Sequence, residues 1–225
     1  MPDQLGVYPL TDTVLFPRTL LPLHVADAAG RALLEDAARG SGHVVLGIWR
    51  SGAAADSTAE PSLYPTACVG RIVELQEADD GGCDVILRGE AVVRIVEFVD
   101  GAPHLTARVH PLRKEGCFET SPGAARRCRE LHRLLEDACP GCLQALRAGW
   151  AGDLDRGCGV ELLHTVAMYL PVSVEKKVEW LASAGSLARW VKLRDTLREM
   201  GVARRRRGGV LRLYADLRPE DAAVN

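Results

Sequence analysis

The feature that most constrains this chain is a change of hydrophobic period near its middle. Up to about Leu112 the pattern is strands and turns, and Leu105, Ala107 and Val109 alternate with His104, Thr106, Arg108 and His110. That alternation is the signature of a strand with one buried face. From about Pro122 the spacing lengthens to three and four. Ala124, Cys128, Leu131, Leu135 and Ala138 then share one helical face, and Arg126, Arg127, Arg129 and Arg133 fill others. One packing mode cannot serve both periods, so a strand-rich unit must precede a helical one. The 225 residues suffice for one large domain or two modest ones. The expected boundaries are 1–112 for the strand-rich part, 113–203 for the helices and 204–225 for a basic, flexible tail.

Within the first part, "TDTVLFPRTLLPLHVADAAGRALLEDA" (11–37) is apolar enough to raise the question of a membrane segment. Its apolar run is shorter than the roughly 20 residues a spanning helix needs, and Arg18, Thr19 and His24 interrupt it. Asp3 stands where a secretory signal would be basic, and no small-residue cleavage site closes the run. Pro17 and Pro22 lack a backbone donor. They divide the run into a strand ending near Phe16, a proline-bounded crossing, and an extended piece from Leu20 to Val25. Asp27 can cap a helix over 28–38, Gly40 sits where a left-handed closing residue is wanted, and Leu33, Leu34 and Ala37 supply the buried side. "HVVLGIW" (43–49) and "CVGRIVELQEA" (68–78) read as strands. "CDVILRGEAVVRIVEFV" (83–99) reads as two strands divided near Gly89, and "DDGG" (79–82) as a hairpin turn. The small, polar segment 50–66 reads as a loop. The whole is a strand-rich barrel with one helix across it.

In the second part, "PG" at 140 and 141 is expected to turn the chain between the first helix and one over 143–150. A third helix covers 160–170 and ends before Pro171. Ser173 and Ser186 are expected to cap a fourth and a fifth, the fifth carrying Trp190, Leu193, Leu197 and Met200 on one stripe as far as Gly201.

Bulk composition excludes more than it selects. Hydrophobic residues make up 47% and charged residues 26%, with a formal net charge of −2, so nothing global favours nucleic acid or an acidic surface. Arginine outnumbers lysine 24 to 4, which coding bias explains as well as function does. Seven scattered cysteines without a signal peptide suggest a reduced, cytoplasmic protein.

Three constellations could carry chemistry. Cys139-Pro-Gly-Cys142 follows Cys128 and His132, one turn apart on a helix, and four such ligands could hold tetrahedral zinc. The plainer reading, core and turn cysteines, is preferred because Cys128 already lies on an apolar stripe with Leu131 and Leu135. A thioredoxin-like role lacks its βαβ context. His24 has no nucleophile or carboxylate that the sequence can pair with it, so it reads as a hydrogen-bonded structural histidine. Arg204, Arg205, Arg206 and Arg207 could grip RNA phosphates, although a solvated tail is the simpler account. "VLRLY" (210–214) could dock as an added strand. Trp150, Trp180, Trp190, Met168 and Tyr169 read mostly as core, and any left exposed would mark a peptide groove.

Two blocks, "YPLTDTVLFPRTLLPLHV" and "CVGRIVELQEADDGGCDVILRGEAVVRI", resemble the N-terminal substrate-recognition domain of the Lon protease family, which also occurs as a stand-alone module. A third block, "MYLPVSVEKKVEWLASAGSLARWVKL", is similar to that family's helices. The three span most of residues 5–200. The resemblance implies a PUA-like mixed β-barrel followed by an α-helical subdomain, and the binding of unfolded or degron-bearing polypeptide through apolar surface. Where many relatives continue after the LPLH stretch with an aromatic residue and Glu-Pro-Arg-Tyr, this chain has Ala26, Asp27, Ala28, Ala29 and Gly30. It contains no G-x-x-x-x-G-K-[ST], and none of Lys114, Lys176, Lys177 and Lys192 follows a glycine, so nothing is recognisable for cradling nucleotide phosphates. The resulting expectation is a cytoplasmic, non-enzymatic, cofactor-free polypeptide binder that works as an adaptor or chaperone-like holder, with a protease or chaperone as a further partner. RNA binding through the barrel and Arg204–Arg207 is the alternative.

Overall fold

The computed structural model describes residues 2–50, 61–101, 103–112, 123–149 and 159–206. The chain divides into two compact units, Met1–Lys114 with Val172–Ala182, and Glu115–Pro171 with Ser183–Asn225.

The first unit is built on six strands: β1 (Gln4–Leu10), β2 (Leu20–Val25), β3 (His43–Ile48), β4 (Thr66–Glu77), β5 (Cys83–Phe98) and β6 (Thr106–Pro111). Their order is β2-β5-β4-β3-β1-β6, and β6 pairs again with β5. Pairing therefore runs from β5 through β4, β3, β1 and β6 back to β5, with β2 attached to the first half of β5. The β1–β3 pair is parallel and the others are antiparallel, so the sheet is mixed, as expected. Helix α1 (Ala28–Arg39) packs against β1 and β3. Leu5, Val7, Val45, Val69, Val93 and Val109, each at most 5% exposed, meet in the interior.

The proline-bounded run is core without being strand. The first strand is β1, upstream of it, and residues 14–17 adopt no regular structure although Val14, Leu15 and Phe16 are at most 1% exposed. Two close approaches hold this run. The Arg18 amide donates to the Gly89 carbonyl at 2.7 Å, and the Gly89 amide donates to the Thr19 carbonyl at 2.9 Å. This also corrects the expected division of 83–99: β5 is one continuous strand of 16 residues. Gly89 does not end it. A Cβ there would sit 2.0 Å from the Phe16 carbonyl oxygen, so the residue is glycine to admit the crossing chain.

At α1 the Asp27 carboxylate accepts from the Gly30 amide at 2.6 Å, as a cap should. Gly40 is not left-handed (φ −97°); the left-handed glycine is Gly42 (φ 72°), whose amide reaches the Ala37 carbonyl at 2.8 Å. Helix α5 (Val174–Leu181), capped by Ser173, was expected among the helices. It packs instead against β4, burying Val178, Trp180 and Leu181.

The second unit contains α2 (Ala124–Ala138), α3 (Pro140–Gly149), α4 (Val160–Tyr169) and α6 (Ser186–Arg206). Cys139 both ends α2 and starts α3: its amide donates to Leu135 at 2.8 Å and its carbonyl accepts from Leu143 at 3.2 Å. Pro140 consequently opens a helix, where its missing N–H costs nothing, and does not turn the chain. Helix α4 stops at Tyr169, with Leu170 extended before Pro171. Ser186 is the first residue of α6 and not its cap, and α6 runs past Gly201 to Arg206. Gly201 is a contact point: a Cβ there would lie 2.6 Å from an Asp137 carboxylate oxygen. On α6, Trp190, Leu193 and Leu197 are buried, and Met200 is half-buried.

Candidate functional site

The strand β5 carries a bulge. Its pairing with β6 shifts between Ile95 and Glu97, which leaves Val96 without a cross-strand partner and turns it outward. Val96 is 48% exposed, a high figure for a valine in mid-strand. Beside it lies a groove of about 330 Å³ lined by Leu63, Tyr64, Ile95, Val96 and Phe98 together with Arg50 and Glu97.

Backbone pairing sets this shape. Trp49 and Leu63 form an isolated bridge, the Tyr64 amide donates to Ile48 at 2.8 Å, and the Ile95 amide donates to Pro65 at 2.8 Å. Arg50 donates to the Leu63 carbonyl at 3.0 Å, and its guanidinium lies 5.7 Å from the centre of the Tyr64 ring, a cation–π distance. Glu97 pairs with Arg108 at 2.6 Å. The lining is therefore backbone-braced and mixes apolar side chains with Arg50, Ser62 and Glu97. Its apolar members, Tyr64, Ile95, Val96 and Phe98, can take apolar side chains of an extended chain.

The residues singled out from the sequence are distributed as follows. His24 stands between two carboxylates, Nδ1 at 2.8 Å from Asp84 and Nε2 at 2.9 Å from Asp80. These hydrogen bonds, Asp84 first, raise its pKa above the ordinary 6.5. Asp80 is lowered from 3.8, chiefly by the Gly82 amide and also by His24. The cluster ties β2 to the β4–β5 hairpin, and Arg31 adds a 2.6 Å bond to the Gly81 carbonyl. The carboxylates come from 56 and 60 residues away, which is why the sequence could not supply them.

The alternative zinc set, Cys128, His132, Cys139 and Cys142, has its cysteines in disulfides. Cys139 and Cys142 are joined by a disulfide, with Cα atoms 5.3 Å apart, and Cys128 is disulfide-bonded as well. No group of three or more metal-ligating residues converges among the described residues. The expectation of uniformly reduced cysteines is thus corrected. Starting α3 directly at Cys139 places the two thiols within bridging reach. Cys68 and Cys83 are buried thiols outside any disulfide.

Arg204 and Arg205 are helical residues, not tail. Arg204 donates to the Asp137 carbonyl at 2.9 Å and the Glu136 carbonyl at 3.4 Å, and Arg205 pairs with the Asp137 carboxylate. Both serve the carbonyl end of α2, where a cation complements the helix dipole. Arg207, Trp150 and residues 210–214 lie outside the described residues. Trp180, Trp190 and Met168 are buried, and Tyr169 is 55% exposed on α4. Among the described residues no helix is long and apolar enough to cross a membrane.

Comparison with known proteins adds family to geometry. Lon protease 2 of Myxococcus xanthus is 34% identical over 109 residues, covering 48% of this chain and 13% of that protein. Lon protease 1 of Bdellovibrio bacteriovorus is 26% identical over 196 residues, covering 86% of this chain and 24% of that protein. The chain thus spans a quarter or less of these relatives. Among solved structures, the N-terminal domain of Mycobacterium avium complex Lon protease superposes with a TM-score of 0.65 at 18% identity, covering 87% of this chain and 98% of that one. A Lon N-terminal domain protein from Xanthomonas campestris gives 0.60 at 19%, covering 84% and 96%. The family profile described as "ATP-dependent protease La (LON) substrate-binding domain" matches residues 4–199. With that match over most of its length, the chain belongs to the Lon substrate-binding domain family.

Proposed function

We propose that this chain is a non-catalytic, cytoplasmic module that binds unfolded or degron-bearing polypeptides and holds them or passes them to a protease or chaperone. The observation that carries this reading is the substrate-binding-domain match over residues 4–199. The groove beside Val96 supports it physically. The exposed Val96 and the half-buried Tyr64, Ile95 and Phe98 in a backbone-braced lining suit apolar side chains presented by a chain that has lost its fold. RNA binding through the arginine cluster is the weaker reading, because Arg204 and Arg205 are engaged with α2.

The test is site-specific photo-crosslinking with a defined client. A photoreactive residue at Val96, and another at exposed Glu179 on α5, are compared in the presence of reduced, carboxymethylated lactalbumin. Crosslinking from position 96 alone, undiminished by RNase, is the expected result. Equal crosslinking from both positions, or none from either, contradicts the groove assignment. Loss of the signal with RNase moves the protein to the nucleic-acid class.

A further inference from the structure

On another part of the first unit, three arginines gather around one open cleft of about 620 Å³. Arg18, Arg71 and Arg88 line it, and Glu90 is the only carboxylate among the described residues of its walls. The arrangement is unfavourable as it stands. Arg71 and Arg88 are direct cross-strand partners on β4 and β5, so two like charges face each other across a pair where opposite or apolar side chains would stabilise the sheet. Arg18 occupies the left-handed backbone region (φ 65°), which is costly for any residue but glycine. The hydrogen bonds between Arg18 and Gly89 and between Gly89 and Thr19, at 2.7 and 2.9 Å, fix that turn against β5.

Internal counter-charge does not resolve the conflict. One Glu90 oxygen lies 2.9 Å from His43 Nε2, and the other is 4.0 Å from Arg71, at the limit of an ion pair. No side-chain hydrogen bond or ion pair holds the Arg88 guanidinium among the described residues. Arg71 and Arg88 therefore face each other with Glu90, shared with His43, as the one carboxylate among the described lining residues. Apolar surface accompanies them: Val73 on the cleft wall is 58% exposed, and Leu20, the β2 partner of Arg88, is 53% exposed.

We propose that this cleft is a second subsite for bound polypeptide, one that selects acidic segments by pairing their carboxylates with Arg71 and Arg88. Guanidiniums bind carboxylates through paired, charge-assisted hydrogen bonds. An acidic segment would supply the counter-charge that the cross-strand pair lacks. The adjoining Val73 and Leu20 favour a polypeptide, with its mixture of carboxylates and apolar side chains, over a phosphodiester backbone, which would call for further cations. The proposal rests on the polypeptide-binding reading above and adds its sequence preference.

The test is fluorescence anisotropy with the full chain and three labelled probes: an unstructured peptide mixing leucine, valine and aspartate, the same peptide with asparagine for aspartate, and a single-stranded RNA of similar length. Each is titrated against wild type, the double variant Arg71→Gln/Arg88→Gln, and the control Arg129→Gln on α2. The acidic peptide is expected to bind wild type and the control at least about tenfold more tightly than it binds the double variant. Its binding is also expected to weaken with salt, while the asparagine peptide binds all three proteins alike. The altered positions are exposed, so the double variant is expected to melt at the wild-type temperature; a lowered melting temperature is met by Arg88→Gln alone, read in the same way. Equal binding of both peptides to all three proteins overturns the cleft while leaving polypeptide binding intact. No binding of either peptide overturns both. RNA binding tighter than the acidic peptide and lost in the double variant replaces the peptide assignment with a nucleic-acid one.

Discussion

Gly89 has no room for one more heavy atom. A Cβ would meet the Phe16 carbonyl oxygen at 2.0 Å, its carbon at 2.8 Å and Pro17 Cα at 3.2 Å, and backbone cannot move aside as a side-chain tip could. Gly89→Ala is expected to cost about 3 kcal/mol or more, by the logic of overpacking a rigid site, read as a fall in urea midpoint. Gly42→Ala, with nothing within 4 Å, meets only its left-handed backbone and should cost about 1 kcal/mol. His24 offers a different kind of test. Its folded pKa is raised above 6.5 by the two aspartates, so its contribution is full below that pH and is lost as pH rises through the folded value. Asp80 is lowered from 3.8, so its contribution is present above that pH and is lost as pH falls through the folded value. The two overlap fully between 3.8 and 6.5. Thermal melts should show stability falling as pH rises above 6.5, and that slope should flatten in His24→Gln. An unchanged slope would mean that the clasp does not act in solution.

At the scale of elements, α2 and α6 run parallel with a constant offset. Glu130 meets Arg198 and Asp137 meets Arg205, each across 68 residues, while Arg204 covers the Asp137 carbonyl. Parallel helices align their dipoles, and the arginines supply the missing complement at the carbonyl end of α2. Arg204→Ala should therefore cost about 1 kcal/mol, more than Arg129→Ala on the exposed face of α2, by the difference in urea midpoint. This contact also explains what the sequence concealed. Gly201 and four arginines in a row read as a helix stop and a tail, because the partner that makes them a docking end lies on another helix. The periodic features were open to reading: the extent of α1, its Asp27 cap, the Ser173 cap of α5 and the halt before Pro171 follow from local chemistry alone. Gly89 and Pro140 were misread for the converse reason. Each residue has a turn-forming use and a packing or helix-opening use, and only its neighbours in space decide between them.

For the molecule as a whole, the family-like blocks carried the mixed sheet and the helical part, but no block marked the groove. Its outward valine depends on a one-residue register shift between β5 and β6, and alternation alone does not reveal such a shift. Val96→Asp, at an exposed position, should leave stability within about 0.5 kcal/mol of wild type while weakening the capture of apolar clients. The central claim is that the chain recognises polypeptide that has lost its fold. The most direct measurement titrates the full chain into one labelled protein in two states, native lactalbumin and its reduced, carboxymethylated form. The account predicts saturable binding to the unfolded form at least about tenfold tighter than to the native one. Equal affinity for the two states, or no binding to the unfolded one, would contradict it.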